Sequence, residues 1–372
     1  MLTYYTKKEI KKQVKVLKNG NMIIIISEVI KMNDKIATRT DLAFEAIDML
    51  ELKNCPEIKE EEYEVNKMIV RRTIVSDKIA KELGKKSGIY YSLDTRSIET
   101  HDNDDLENCE KELTKIIKEV LNVEGINSSH KGLVVGLGNI NVTPDSLGPL
   151  VVDNVIVTRH MFLINPEEVS EGISEVSAIS PGVMGTTGIE TVDIIDAVIK
   201  KINVDYVIAV DALASRSIAR VNKTIQVTNT GISPGSGVGS KRKELSKSTI
   251  GIPVIAIGVP TVVDAVTIAI DTASFVMKYL TKYIEDKKIF QDEMNKKINF
   301  EEVKEPHDKY KKQFLGDFGT LDDIAKRELI EEVLTPNGYN MMVTPKEVDL
   351  DISDLTHVIS GAIDRALHTI VS

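Results

Sequence analysis

Uninterrupted apolar runs alternate with amphipathic ones through the middle of this chain. LVVGLG at 133–138, VSAIS at 176–180, DYVIAVDALA at 205–214 and PVIAIGVP at 253–260 show almost no period-2 alternation. Strands covered on both faces read this way. TIQVTNT at 224–230 predicts a further strand. Between them ETVDIIDAVIKKI has helical spacing, opened by a capping box at Thr187-Gly-Ile-Glu190. Thr261-Val-Val-Asp264 predicts the cap of a long helix reaching about Tyr283. Thr344-Pro-Lys-Glu347 predicts the cap of a terminal amphipathic helix with Pro345 in its first turn.

The flanks are less regular. ATRTDLAFEAIDML at 37–50 predicts a helix with Asp41 as N-cap and apolar Leu42, Ile47 and Leu50. KMIVRRTIV and GIYYSLDTRSI, within 64–100, predict a small antiparallel unit near the N-terminus. Leu113, Ile116, Ile117 and Val120 predict a helix over 108–122, and the polar stretch 286–320 predicts an irregular surface excursion. The strand–helix alternation predicts an α/β fold with a mostly parallel, doubly wound sheet.

A chain of 372 residues can bury a large core, here expected as one domain with appendages. The absence of Trp and an aromatic content of 5% argue against a platform of stacked rings for nucleic acid. The net charge of −10 disfavours any polyanionic partner. Cys55 and Cys109 have neither metal-type nor redox-type spacing, which fits a reducing compartment. Residues 1–41 nevertheless form a basic head, with nine Lys and Arg against four Asp and Glu. Its apolar run MIIIISEVI is too short to span a bilayer and precedes no small-residue cleavage site. Met32 restarts the chain at MNDKIATRTDLAFEA, so residues 1–31 read as an over-extended start, with Met1 and Met32 as the two candidates.

In an open α/β sheet, ligands bind beyond the carboxyl ends of the strands. LVVGLG leads through its loop to Asp145, and YVIAV ends at Asp211, so two carboxylates are expected over one crevice if the strands are neighbours. Crowded carboxylates tend to share a proton, a state suited to peptide hydrolysis. The bland reading of the same residues is a helix cap at Asp145 and a strand-end turn at Asp211. A dinucleotide site is disfavoured, because Gly136-Leu-Gly138 lacks its third glycine. Gly235-Ser-Gly237-Val-Gly239-Ser-Lys241 imitates a phosphate loop without its Gly-Lys-Ser/Thr, and reads as a mobile loop or a purely structural basic turn. Lys241, Arg242 and Lys243 are candidates to hold an acidic substrate. His160 reads as a structural histidine, and no HExxH, G-x-S-x-G or Asp-Thr-Gly signature occurs.

Several longer blocks carry a resemblance. NVTPDSLGP, VTRHMF, SPGVMGTTGIET, AVDALASRSIARVN, GISPGSGVGSKRKELS, GVPTVVDAVTIA and MVTPKEVD resemble the germination protease family of spore-forming Firmicutes, from about Arg39 to the C-terminus. The resemblance implies a fold similar to hydrogenase-maturation proteases and an atypical two-aspartate endopeptidase. Its essential aspartates fall on Asp145, in Val-Thr-Pro-Asp, and Asp211, in Val-Asp-Ala-Leu. No cofactor is expected; the hydrogenase relatives hold a metal here, and the sequence does not decide whether this chain does. It also implies a homotetramer made as a zymogen in the forespore cytoplasm, acting in the spore core on small acid-soluble spore proteins. Thr40-Asp-Leu-Ala-Phe-Glu45 imitates the cleavage sequence of those substrates, which puts self-cleavage between Asp41 and Leu42. Residues 1–41 are then extension and propeptide, and 42–372 the mature domain. Two departures from the family pattern are the 38 residues before Arg39 and the shorter, charge-mixed region 286–320. The competing class is a non-catalytic protein that binds acidic peptides through Lys241–Lys243; it has no use for Asp145 and Asp211 facing its ligand.

Overall fold

The computed structural model describes residues 42–49, 58–95, 97–233, 243–285, 306–334 and 341–368. Asp41, the basic head, Lys241, Arg242 and the glycines of 235–239 lie outside these residues.

The described strands form one sheet in the order β1-β2-β3-β7-β8-β6-β4-β5, with β9 paired to β8. In chain order they are β1 (Ile58–Val65), β2 (Met68–Val75), β3 (Gly88–Asp94), β4 (Gly132–Gly136), β5 (Val176–Ile179), β6 (Tyr206–Ser215), β7 (Thr224–Thr228), β8 (Val254–Asp264) and β9 (Met342–Val343). Strands β8, β6, β4 and β5 run parallel. The antiparallel N-terminal unit β1-β2-β3 continues the same sheet, because β3 pairs with β7 and β7 with β8. The sheet is therefore parallel where the site lies and antiparallel where the chain begins.

Burial explains the parallel half. Every residue of β4 is buried, and in β6 all but Ala212 are. Helices cover both faces. On one face lie α3 (Asn103–Val123), α4 (Leu147–Asn154) and the terminal α9 (Val348–Leu367), whose Leu113, Ile117, Val151, Leu355 and Ile359 join Val134, Ile208 and Ile255 in the main core. On the other face α5 (Thr191–Ile202) places Val192, Ile195 and Ile199 against Leu133, Val135 and Val207. α1 (Ala43–Met49) and α2 (Asp77–Leu83) pack with Val75 and Tyr90 of the antiparallel unit. α6 (Ala265–Glu285) follows β8, and α7 (Asp308–Thr320) and α8 (Asp323–Leu334) pack on it.

Several local expectations are corrected. Thr187 does not cap α5; its hydroxyl donates to the Val183 carbonyl and accepts from Ile189 N–H, inside the preceding turn. Thr261 does not cap α6, because β8 runs on to Asp264 and that aspartate caps, accepting from Thr267 N–H at 2.6 Å. Thr344 likewise bonds to a strand, donating to the Thr261 carbonyl at 2.9 Å. In each case the residue pattern of a cap is present, but other partners take the hydroxyl, local ones for Thr187 and distant ones for Thr261 and Thr344. The expected excursion over 286–320 holds α7 in its described part, with left-handed backbone at Gly316.

Candidate active site

β4 ends at Gly136, which pairs with Val210 of β6. The chain leaves the sheet there, with Leu137 N–H still bonded to the Val210 carbonyl at 2.8 Å. β6 does not stop at Asp211, contrary to expectation; it continues beside β8 to Ser215. Asp211 is thus the first residue of β6 past the end of β4, four residues before β6 itself ends. It is buried, and its Oδ1 accepts from Ala212 N–H at 3.0 Å.

Asp145 is brought to the same end by a tight return. Thr143–Asp145 form one turn of 3-10 helix with Pro144 in its first positions, where a missing N–H costs nothing. Asp145 N–H bonds to the Val142 carbonyl at 2.7 Å, and the Ser146 hydroxyl to the Thr143 carbonyl at 2.8 Å. The loop then closes on itself: Asn139 N–H reaches both the Asp145 carbonyl, at 3.0 Å, and the carboxylate Oδ2, at 2.9 Å. Gly138 makes this possible. Its φ of +114° is disfavoured for other residues, and a Cβ there would stand 2.1 Å from the Asp145 carbonyl oxygen. Behind it, a Cβ on Gly148 would lie 2.6 Å from the Val210 carbonyl oxygen, so α4 starts directly against the middle of β6, one residue before Asp211. The Pro-Asp turn packs on β6, β8 and α9.

A second charged group stands around the same strand end. α1 lays Leu42 and Phe44 against Leu213, two residues beyond Asp211 and on the same face of β6. Glu45, also buried, accepts from the Ser215 hydroxyl at 2.8 Å and Arg216 N–H at 3.1 Å, and pairs with Arg220 at 3.7 Å. The Arg220 guanidinium lies 4.2 Å from the centre of the Phe44 ring. Further along, Arg327 bridges Asp264 and Thr267. Burial, with Asp264 adding to it, pushes Asp271 up to about 6 against the opposing pull of Arg216 and Arg327. Glu45, Arg216 and Arg220 carried no signal as a cluster in the sequence, because α1 and β6 lie some 170 residues apart.

The remaining predicted residues are dispersed. Lys243 points to α5, its ammonium 2.8 Å from Asp193 and its N–H 3.2 Å from Glu190, and the Asp193 hydrogen bond raises its pKa. His160 is exposed on the short helix Arg159–Ile164. Among the described residues, no group of three or more His, Cys, Asp and Glu stands together as a metal site. No described helix is long and apolar enough to cross a membrane.

Comparison with known proteins places a chain of this architecture among the peptidases. The matching family model is that of the germination protease, and it takes in residues 37–372. Germination proteases of Bacillus cereus (strain G9842) and Bacillus thuringiensis subsp. konkukian (strain 97-27) are each 48% identical over 346 residues, covering 90% of this chain and 94% of theirs. That of Bacillus mycoides (strain KBAB4) is 48% identical over 351 residues with the same coverage. The chain belongs to the germination protease family, and its role is that of a protease in spore germination. Among solved structures, the [NiFe] hydrogenase maturation protease HycI from Thermococcus kodakarensis KOD1 is 17% identical, covering 39% of this chain and 80% of its own, with a TM-score of 0.26.

Proposed function

We propose that the chain is an endopeptidase that starts the degradation of small acid-soluble spore proteins in the spore core, with Asp145 and Asp211 as its reacting pair. The observation that carries the reading is that β4 ends beside Val210, one residue before Asp211, and the turn bearing Asp145 packs back on β6. One carboxylate, ionised, takes a proton from water as the water oxygen attacks the scissile carbonyl carbon. The other, protonated, donates to the carbonyl oxygen. Collapse of the tetrahedral adduct breaks the C–N bond, and a proton passes to the leaving amine. Burial of Asp211 disfavours its charged form, which suits a site that holds a proton.

The same pair would process its own chain between Asp41 and Leu42, separating residues 1–41 from the mature domain 42–372. The packing of Leu42 on Leu213, two residues from Asp211, supports this. Assembly as a homotetramer and residence in the forespore cytoplasm belong to the same reading. With Lys243 engaged by Asp193, a purely peptide-binding role for 241–243 has less to stand on. The test replaces Asp145 or Asp211 by Asn in the purified protein and incubates each with a small acid-soluble spore protein, mapping new termini by mass spectrometry. Both variants should keep the wild-type circular dichroism and produce no new termini. Full cleavage by either one removes that residue from the mechanism.

A further inference from the structure

Thr261 stands at a break in the register between β6 and β8. Leu213 pairs with Pro260 and Ala214 with Val262, so Thr261 is an extra residue on β8. Bulges re-aim a side chain and increase local twist, and they concentrate beside active sites. Here the re-aimed hydroxyl, 1% exposed, donates to the Pro144 carbonyl at 2.6 Å. The backbone around the bulge is held in turn: Asn222 N–H donates to the Pro260 carbonyl at 2.7 Å, and the Thr344 hydroxyl to the Thr261 carbonyl at 2.9 Å.

The Pro144 carbonyl belongs to the peptide plane that leads into Asp145. Bonds within the loop, from Asp145 N–H to Val142 and from Ser146 to Thr143, set the shape of the turn but not where it stands on the sheet. The Thr261 bond ties that plane to β8, the strand next to the one bearing Asp211. Rotation of the plane would swing the Asp145 side chain over the strand ends.

We infer that Thr261 is a positioning residue of the protease site: its hydroxyl, turned by the bulge, fixes the Pro144–Asp145 peptide and hence the placement of Asp145 relative to Asp211. This rests on the reading of those two aspartates as the reacting pair. A misplacement of about 1 Å in a reacting group lowers rate by up to about a hundredfold without weakening binding.

The experiment compares Thr261→Val, which keeps the shape and removes the donor, with Thr261→Ser, which keeps the donor. Cleavage of a small acid-soluble spore protein is followed across a pH series to separate kcat from KM, and melting temperature is read for each protein. Thr261→Val should lower kcat roughly ten- to a hundredfold, leave KM within about twofold, and shift the limbs of the pH–rate profile. Thr261→Ser should restore kcat to within about threefold and return the profile. Unchanged kcat and profile in Thr261→Val, or an equal loss in Thr261→Ser, overturns the positioning role. Asp145→Asn run alongside tells the two failures apart: if it is inactive while Thr261→Val is normal, only the positioning role falls, and if it is active, both fall.

Discussion

The carboxylate of Glu45 accepts a hydrogen bond from the Ser215 hydroxyl at 2.8 Å across 170 residues of chain, joining the first described helix to the end of β6. Arg216 N–H and Arg220 also meet this group, which is 5% exposed. Removing one partner of a buried charged group leaves the other uncompensated, at a cost of about 3 kcal/mol or more. Glu45→Ala should lower unfolding stability by about that amount, against about 1 kcal/mol for Ser215→Ala, as read from urea midpoints. A loss from Glu45→Ala no larger than that from Ser215→Ala would mean that α1 is held by its apolar residues alone.

Gly138 provides a second case in which sequence and site meet. An added methyl would collide with the Asp145 carbonyl at 2.1 Å, in a backbone region that other residues rarely enter. Gly138→Ala should cost about 1–3 kcal/mol of stability and lower proteolysis far more than this implies, since relief of the clash moves Asp145. Peptidase assays at a temperature where the variant remains folded would check it. Retained kcat would dissociate the turn from the reaction.

Burial pushes Asp364 up to about 6, although Ile156 N–H donates to it at 2.9 Å. The folded pKa therefore lies above the unfolded value of 3.8. The sign follows: the folded state binds this proton more tightly, so the group costs nothing below the unfolded pKa. The cost grows as pH rises towards 6 and is complete above it. Asp364→Asn keeps an acceptor for Ile156 and should stabilise the protein by about 2 kcal/mol near pH 8 but not near pH 3.5. Equal effects at both pH values would show that the proton is not involved.

Self-cleavage offers a test that needs no other substrate. If Asp145 and Asp211 share a proton when active, mild acid should favour the singly protonated pair. A time course at about pH 5 to 6 should show a new terminus at Leu42 in the wild type, slower processing in Asp41→Ala, and none in Asp145→Asn. Processing that persists in purified Asp145→Asn would assign maturation to another enzyme.

The parallel strands were legible in the sequence because double-sided burial leaves an unmistakable apolar run, as in YVIAV of β6. β1 was not, since IKEEEYEV exposes six of its eight residues at the sheet edge and has no apolar face to read. Its glutamates are held instead by cross-strand arginines, with Arg71 reaching Glu60 and Glu62 and Arg72 reaching Glu61. Asp145 and Asp211 could be singled out from the apolar runs that lead to them, but β6 runs on past Asp211 and the adjacency of the two strands is a fact of sheet order. Thr261 was misread for a related reason. Thr-x-x-Asp fits a cap equally well, and only the β6 partner strand reveals a bulge. Pairings across more than a hundred residues decide such cases, and periodicity is blind to them.

Leu42 to Ile47 are all buried, with Leu42, Ala43 and Ala46 fully so. On the proposed processing, the new terminus would not be a loose end, and the hydrophobic interior would be the same before and after the cut. Counted from Met1, what leaves is a segment with nine cations and four anions, so a net charge of −10 becomes −15; counted from Met32, the segment holds two of each sign and the charge does not change. With the Met1 start, maturation would act as an electrostatic event at the surface: the enzyme would become more soluble and more strongly repelled by polyanions, and would meet basic protein partners faster.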